Sequence, residues 1–554
     1  MIKIDNFIKL YEKSFIENWD LPALTDYVSK KTITYGRMAA TIAEIHLFFE
    51  SNGVAPGSKV AICGKDSTSW VLIYMATVTY GAVIVPILSE FNPVDVAHIV
   101  NHSEAEILFI DEHIFEHIDP EKLLNVKGVL TIGEVSKVLY EKEDSNFSYN
   151  LRLLRRRFRR RYPNKYSAAD IKYIDRDNSE VVEINYTSGT TGFSKGVMLT
   201  GENLAGNVCF GLDTVLHFRS SRALAFLPLA HAYGCAFDML TPLAAGSHVT
   251  LLGKTPSPRV LIKALAEVRP NLVICVPLIL EKIYKNQILP LISKGTMRWT
   301  LAVPFLDTYI YTKIRKKLID VFGGEFEEVI VGGAPLNHEV EEFLYKIKFP
   351  FTVGYGMTEC GPLISYTPWK KFILGSSGKT LPIMETKIDS PDPENIPGEI
   401  CVKGTNVMKG YYKNPDATKA VFDDEGWLHT GDMGTRSKDG TLFLRGRSKT
   451  MILSASGQNI YPEEIEAKLN NMPFVAESLI VERDGKLVGL VYPDYDALDR
   501  IGVAATDADT TMENIRQELN KLVAPYEKIA KIILVPNEFE KTPKRSIKRF
   551  LYTR

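Results

Sequence analysis

The chain has 554 residues, more than one hydrophobic core usually supports, so we expect two or more domains. Hydrophobic residues make up 45% and charged residues 24%, which excludes a disordered, collagen-like or coiled-coil protein. The 66 Lys and Arg residues nearly balance the 67 Asp and Glu residues, which argues against a dedicated nucleic-acid-binding protein. The six cysteines form no CxxC pair and the start lacks a secretory signal, so we expect buried, reduced thiols in a cytoplasmic protein.

Short apolar runs alternate with helix-like stretches through the first two thirds of the chain, which predicts an α/β fold. Residues 29–35 are expected to open a helix that runs to about residue 52. Residues 67–89 carry no charge, but Gly81 and Pro86 interrupt them, so we predict a buried helix, a turn and a buried strand rather than a membrane span. Further strands are predicted at residues 60–63, 107–110, 129–132, 272–275 and 329–331.

Ten residues between Arg152 and Arg161 hold seven arginines. Such a run is typical of a solvated basic face or a mobile insertion. The alternatives are binding to nucleic acid and, favoured of the two, a peripheral contact with acidic lipid headgroups at the inner face of a membrane.

The strongest signal is a loop dense in glycine and hydroxyl side chains: residues 186–197 read YTSGTTGFSKGV. Its glycines let the backbone turn tightly and aim amides at one point, and a lysine adds a positive charge. The spacing is not that of a Walker loop. We predict that phosphate is bound by Thr187, Ser188, Gly189, Thr190, Thr191, Gly192 and Lys195.

This loop resembles the phosphate-binding signature of the adenylate-forming superfamily, which includes acyl-CoA synthetases, peptide-synthetase adenylation domains and luciferase-like enzymes. Ser194 stands where that signature usually has proline. Four further segments resemble the family's other motifs, in the family's order.

Residues 331–335 (VGGAP) resemble the segment that packs along adenine, which implies contacts from Gly333, Ala334 and Pro335. Residues 354–359 (GYGMTE) resemble the next motif, whose contacts would include Gly356 and Met357. The resemblance implies that Tyr355 stacks on adenine, that Thr358 lies by the α-phosphate and that Glu359 holds Mg²⁺, an ion that prefers carboxylate and phosphate oxygens.

Residues 426–432 (GWLHTGD) are similar to the ribose-binding motif, which implies that Asp432 accepts hydrogen bonds from both ribose hydroxyls. Residues 444–449 (LRGRSK) follow, with Arg447 as a second ribose or phosphate contact. Lys449 matches the family's hinge. Gly457 lies in a segment that would let the pantetheine arm of CoA pass.

The resemblance implies an N-terminal adenylation domain over residues 1–446, built from two helix-covered sheets and a small β-barrel-like subdomain at about 350–446. A hinge at 447–450 would connect it to a small, mobile α+β domain at 451–554. Rotation of that domain would serve two half-reactions in turn.

The C-terminus departs from the family pattern. An ungapped match puts Ser546 where the family has its catalytic lysine, with Lys544 and Lys548 two residues to either side. Serine cannot neutralise charge that develops on the α-phosphate. We predict Lys548 as the substitute, and a solvated basic tail without a catalytic lysine is the alternative.

Residues 225–235 (AFLPLAHAYGC) resemble the motif that abuts the substrate carboxylate, which implies a pocket role for His231. Residues 235–252 contain one acidic or basic side chain other than histidine, Asp238, and could form an apolar wall.

Together these resemblances imply an AMP-forming acyl-CoA synthetase that uses ATP, Mg²⁺ and CoA. The expected substrate is a medium- or long-chain fatty acid. The alternatives are an aryl or other carboxylate–CoA ligase, a ligase that loads a carrier protein, and a catalytically impaired nucleotide-binding protein.

Overall fold

The structure is a computed structural model that describes residues 2–133, 136–143, 145–187, 195–292, 306–453, 459–483, 485–500, 508–542 and 546–553. It has the mixed α/β fold with several sheets that the sequence predicts.

The largest sheet has eight strands. Its central strands are parallel because helices cross over between them, while the hairpin that flanks the phosphate loop is antiparallel. From edge to edge the order is Gly410–Tyr411, Lys195–Thr200, Val181–Thr187, Val83–Ile87, Lys59–Cys63, Ile107–Ile110, Gly128–Thr131 and Val138–Glu141.

Two smaller sheets belong to the same part of the chain. One is mixed, with the order Arg222–Ala225, His248–Leu251, Pro22–Asp26 and Lys31–Thr34. The other is parallel, with the order Val273–Cys275, Val329–Val331 and Phe351–Val353.

Between residues 355 and 447 the strands pair antiparallel. A three-stranded sheet comprises Tyr355–Gly356, Leu363–Tyr366 and Lys379–Thr380. A four-stranded sheet comprises Met384–Asp389, Gly398–Gly404, Leu428–Arg436 and Leu442–Arg447.

The C-terminal residues form a two-stranded and a three-stranded sheet. Their strands are Ile452–Leu453 with Asn459–Ile460, and Val475–Arg483, Lys486–Pro493 and Lys531–Leu534. The assignment of residues 447–450 as a hinge between domains stays a prediction.

The α-helices cover the sheets, and prolines or polar caps start many of them. They are Phe7–Glu17, Tyr35–Ser51, Thr68–Tyr80, Pro93–Ser103, Glu112–Phe115, Leu151–Arg161, Gly201–Asp213, Ala232–Gly234, Thr241–Ala245, Pro258–Val268, Pro277–Ile283, Leu289–Ile292, Leu306–Val321, His338–Lys346, Pro415–Lys419, Pro462–Asn470, Tyr495–Arg500 and Ala508–Leu522. Two π-helical segments, Cys235–Leu240 and Tyr284–Ile288, continue from α-helices.

The hydrophobic cores divide along the chain. The largest cluster, counted with the partly buried side chains that pack against it, ends at Leu444, whereas two smaller clusters contain residues from Ile452 onward. All six cysteines are free and buried, as predicted.

The uncharged segment at residues 67–89 folds as predicted. The helix Thr68–Tyr80 ends at Gly81, which has a φ of 91°, and the buried strand Val83–Ile87 follows. Among the described residues, no helix combines the length and the apolarity that crossing a bilayer requires.

One prediction is wrong at its start. Residues 29–34 do not open the first long helix, because Lys31–Thr34 forms a strand against Pro22–Asp26. The helix begins at Tyr35, and the side chain of Thr34 caps it by accepting a hydrogen bond from the Arg37 amide. Strand pairing outweighs the helical spacing of the apolar residues there.

Candidate active site

One cavity of about 2510 Å³ brings together motifs that are far apart in sequence. Residues that flank the phosphate loop lie on its wall with residues from the strand ends of the parallel sheets, from the β-rich part and from the C-terminal part. The predicted site residues on the wall are Thr187, Lys195, His231, Gly333, Ala334, Pro335, Tyr355, Gly356, Met357, Thr358, Glu359, Asp432, Arg447 and Lys449.

The ends of the phosphate loop are held by the sheet. Thr187 and Lys195 face each other as a pair of the antiparallel ladder, so the two residues that flank the loop are adjacent. The Lys195 amine lies 4.8 Å from the centre of the Tyr411 ring, a cation–π contact. The predicted contacts Ser188, Gly189, Thr190, Thr191 and Gly192 lie outside the described residues.

Asp432 is buried and held by two partners. The Tyr355 hydroxyl donates to Oδ2 at 2.8 Å, and Arg447 Nε lies 3.0 Å from Oδ1. Strand pairing sets this geometry, because Asp432 and Arg447 are opposite each other on Leu428–Arg436 and Leu442–Arg447. Burial raises the pKa of Asp432, and the positive charge of Arg447 opposes that shift.

Glu359 lies beside Thr358 in a short 3₁₀ turn at the cavity wall. Its Oε1 accepts a hydrogen bond from the Tyr411 hydroxyl at 2.9 Å, and its backbone carbonyl accepts one from the Met408 amide at 2.8 Å. Tyr411 therefore contacts both Glu359 and Lys195, a connection that the sequence motifs did not reveal because Tyr411 lies outside them.

The donor set suits a Mg²⁺ ion that is shared with a nucleotide. Among the described residues there is no group of three or more His, Cys, Asp or Glu side chains that could hold a metal ion. Mg²⁺ commonly takes one or two protein carboxylates and completes its shell with phosphate and water oxygens, and Glu359 fits that role.

Two glycines let the backbone form the cavity wall. Gly333 has a φ of 84°, a left-handed conformation that side chains rarely adopt. A Cβ atom on Gly356 would lie 2.2 Å from the carbonyl oxygen of Pro362, so no larger residue fits without rearrangement.

His231 lies at the start of the short helix Ala232–Gly234, and its Nδ1 accepts a hydrogen bond from the Tyr233 amide at 3.3 Å. Tyr233 is fixed in turn by a 3.0 Å bond from its hydroxyl to the Ile330 carbonyl. Apolar residues from later in the chain also line the cavity: Leu261, Leu265, Val276 and Ile279.

Asp238 does not line the cavity. It is buried in the π-helical segment, and burial raises its pKa well above the usual range of an aspartic acid. Its position offers nothing for recognition of a substrate amine.

Of the described residues in the C-terminal tail (541–542 and 546–553), those that line the cavity include a serine and an arginine but no lysine. Ser546 and Arg549 line the wall, whereas Lys548 does not. The Lys548 amine lies 3.4 Å from Glu540, and its backbone amide donates to the Glu540 carbonyl. Lys548 as the catalytic lysine stays a prediction. Lys544 and Gly457 lie outside the described residues.

Arg549 was missed by the sequence analysis. Its two terminal nitrogens lie 2.6 and 2.7 Å from Glu466 Oε1, and burial raises the pKa of Glu466 to about 7. The signal available in the sequence was the acidic start of the helix Pro462–Asn470 beside a basic C-terminus, a pattern too general to pair the two residues.

Comparison with known proteins gives consistent matches. Residues 12–412 match a family model described as AMP-binding enzyme. The peroxisomal long chain acyl-CoA synthetase 6 of Arabidopsis thaliana is 30% identical over 506 residues, which cover 84% of this chain and 69% of that protein. The 4-coumarate-CoA ligase 1 of Narcissus pseudonarcissus is 27% identical over 534 residues, which cover 93% and 87%.

The structure is also similar to that of ATP-bound MatB from Rhodopseudomonas palustris. The TM-score is 0.75 at 24% identity, and the match covers 98% of each chain. At this identity the likeness concerns the fold.

Proposed function

The chain belongs to the AMP-binding enzyme family and is an AMP-forming acid–CoA ligase, and from that premise we propose that its acid is a medium- or long-chain fatty acid. The observation that carries this proposal is that apolar residues, among them Leu261, Leu265 and Val276, line the same cavity as His231. An alkyl chain buried there gains about 0.8 kcal/mol per methylene group.

The first half-reaction joins two anions. The substrate carboxylate attacks the α-phosphorus of ATP, an acyl–phosphate bond forms, and pyrophosphate leaves. The protein positions the nucleotide: Asp432 accepts hydrogen bonds from the ribose hydroxyls, Tyr355 packs on adenine, and Thr358 lies beside the α-phosphate. Lys195 and the amides of the phosphate loop compensate negative charge on the phosphate tail. Mg²⁺ bound at Glu359 would neutralise phosphate charge.

The second half-reaction transfers the acyl group. The thiol of CoA gives up its proton to solvent and attacks the acyl carbon, the thioester bond forms, and the bond from the acyl carbon to the phosphate oxygen breaks, so that AMP leaves with its electrons. In this proposal, rotation about Lys449 removes the C-terminal residues from the cavity and opens a path for pantetheine.

An aryl acid is the second candidate, because the similarity to a 4-coumarate-CoA ligase covers 93% of this chain. A panel of palmitate, octanoate, 4-coumarate and malonate, scored by CoA-dependent AMP release, distinguishes the two. We expect the highest kcat/KM with octanoate or palmitate, and a preference for 4-coumarate would overturn the fatty-acid proposal.

A variant tests the wall itself. Val276→Phe fills space beside Gly333 and should lower kcat/KM for palmitate at least tenfold more than for octanoate. Val94→Phe is the matched control, because Val94 is 78% exposed and does not line the cavity. Equal losses with both acids would show that the acyl chain does not follow this wall.

A further inference from the structure

The arginine run forms a helix, Leu151–Arg161, with a continuous basic outer face. At 100° per residue, five arginines fall within an arc of roughly 140°. They are exposed and form no ion pair within the described residues: Arg152, Arg155, Arg156, Arg159 and Arg160. Leu153 lies on the same face and is 53% exposed. The helix contains no acidic residue.

The inner face fixes this helix to the protein. Leu154 is buried, and the partly buried Phe158 packs against the main hydrophobic cluster. Arg161 pairs with Glu50 at 2.8 Å, and Arg157 donates to the hydroxyl of Ser51. The two inner arginines therefore hold the helix against Tyr35–Ser51, and the five outer ones are presented on a packed element rather than on a free tail.

The basic face is remote from the catalytic cavity. The parallel strand Lys59–Cys63 ends at the cavity wall, where Gly64 and Asp66 follow it. Asn52, shortly before that strand begins, bonds the backbone of Ser148 at 2.7 and 3.1 Å, just ahead of the arginine helix. The helix is thus attached near the N-terminal ends of the parallel strands, whereas the cavity lies at their C-terminal ends. No residue of this helix lines the cavity, so its arginines are not placed to bind the phosphates of a nucleotide held there.

We propose that this face docks the protein on an anionic lipid surface. The helix is about 16 Å long, and its arginines point outward from a convex surface. Such an arrangement suits contact with a plane of headgroup phosphates better than it suits a groove. The attraction is local, because the whole chain has a formal net charge of −1. Leu153 adds an apolar contact between headgroups. The choice of lipid rests in part on the proposed fatty-acid substrate, which partitions into bilayers.

The test is vesicle co-sedimentation of the full-length protein. We expect binding to vesicles of phosphatidylcholine with 30 mol% phosphatidylglycerol, no binding to pure phosphatidylcholine, and release as salt rises. Changing all five outer arginines to glutamine should weaken binding at least a hundredfold, because each basic residue near such a surface contributes a factor of about five. Changing them to lysine should retain most of it.

A second basic helix provides the matched control. Lys313, Lys316 and Lys317 are exposed on Leu306–Val321, and changing them to glutamine should leave vesicle binding unchanged. Equal vesicle binding by the wild type and the five-glutamine variant would overturn the proposal. So would absence of vesicle binding together with tight binding to polyuridylic acid, which would indicate an RNA-binding face.

The readouts separate this proposal from the proposed function. CoA ligation of a water-soluble acid should be the same in the wild type and the five-glutamine variant. Vesicle binding by a protein that activates no fatty acid would leave the docking face standing and remove the substrate assignment.

Discussion

Asp432 combines burial with two partners, the hydroxyl of Tyr355 and the guanidinium of Arg447. If it binds the ribose hydroxyls, Asp432→Asn should raise KM for ATP by about tenfold to a hundredfold. The reason is that a hydrogen bond to a charged group contributes about 1.5–3 kcal/mol. Steady-state kinetics at saturating fatty acid measure the change. Asp439→Asn is the control, because Asp439 lies in an exposed turn of the same β-rich part and pairs with Lys379.

The pH dependence of KM for ATP provides a second test of the role of Asp432. Burial raises its pKa, so on acidification it takes up a proton at a higher pH than an ordinary aspartic acid. Protonation removes acceptor capacity, so KM for ATP in the wild type should rise as pH falls toward the acid range. The Asn variant should lack this rise. An unchanged KM in Asp432→Asn at neutral pH would show that this carboxylate does not contact the nucleotide.

The predicted role of Lys548 as the catalytic lysine can also be tested with single substitutions. Lys548 interacts with Glu540 and lies off the cavity wall here, so a catalytic role requires a second orientation of the C-terminal residues. On the prediction that it supplies the cation for adenylation, Lys548→Ala should lower pyrophosphate release at least tenfold. Thioester formation from supplied acyl-AMP should change less than twofold.

Ser546→Lys in the Lys548→Ala background is the informative companion, because Ser546 already lines the cavity. We expect it to restore much of the adenylation rate by returning a positive charge to the family's usual position. Equal loss of both half-reactions in Lys548→Ala, or loss only in Lys544→Ala, would exclude Lys548 as that residue.

At the scale of elements, apolar runs located the buried strands to within a residue or two. The strand predicted at residues 60–63 is Lys59–Cys63, and the one predicted at 272–275 is Val273–Cys275. These runs are reliable because strands buried on both faces need an apolar residue at nearly every position. Residues 31–34 were misassigned because their strand depends on a partner, Pro22–Asp26, that a local helical pattern does not contain.

The active site also divides into features with a local sequence pattern and contacts that depend on distant elements. Glycine-rich and acidic motifs, each contiguous in sequence, pointed to the residues of the cavity wall. The contacts between motifs could not be predicted: Tyr411 reaches Glu359 across 52 residues, and Arg549 reaches Glu466 across 83. Such pairs depend on how separate elements pack, and a single sequence carries no local signal for that.

At the scale of the whole molecule, the division of the hydrophobic cores has a consequence for stability. No hydrophobic cluster of the described residues combines side chains from before residue 445 with side chains from after residue 451. The contacts between the two parts include polar ones, such as Asn471 Nδ2 to Asn337 Oδ1 at 3.1 Å and Lys285 Nζ to the Val475 carbonyl at 3.3 Å. Polar contacts of this kind are typical of interfaces that move.

We therefore expect two transitions in calorimetric unfolding of the intact chain. Leu469→Ala empties a fully buried position in the C-terminal cluster and should lower only one transition by several degrees, since such truncations cost about 2–5 kcal/mol. Leu24→Ala does the same in the large cluster and should lower only the other. A single transition that both variants shift would mean that the two parts unfold as one unit. The rotation proposed for the second half-reaction would then have to break a cooperative interface in every catalytic cycle.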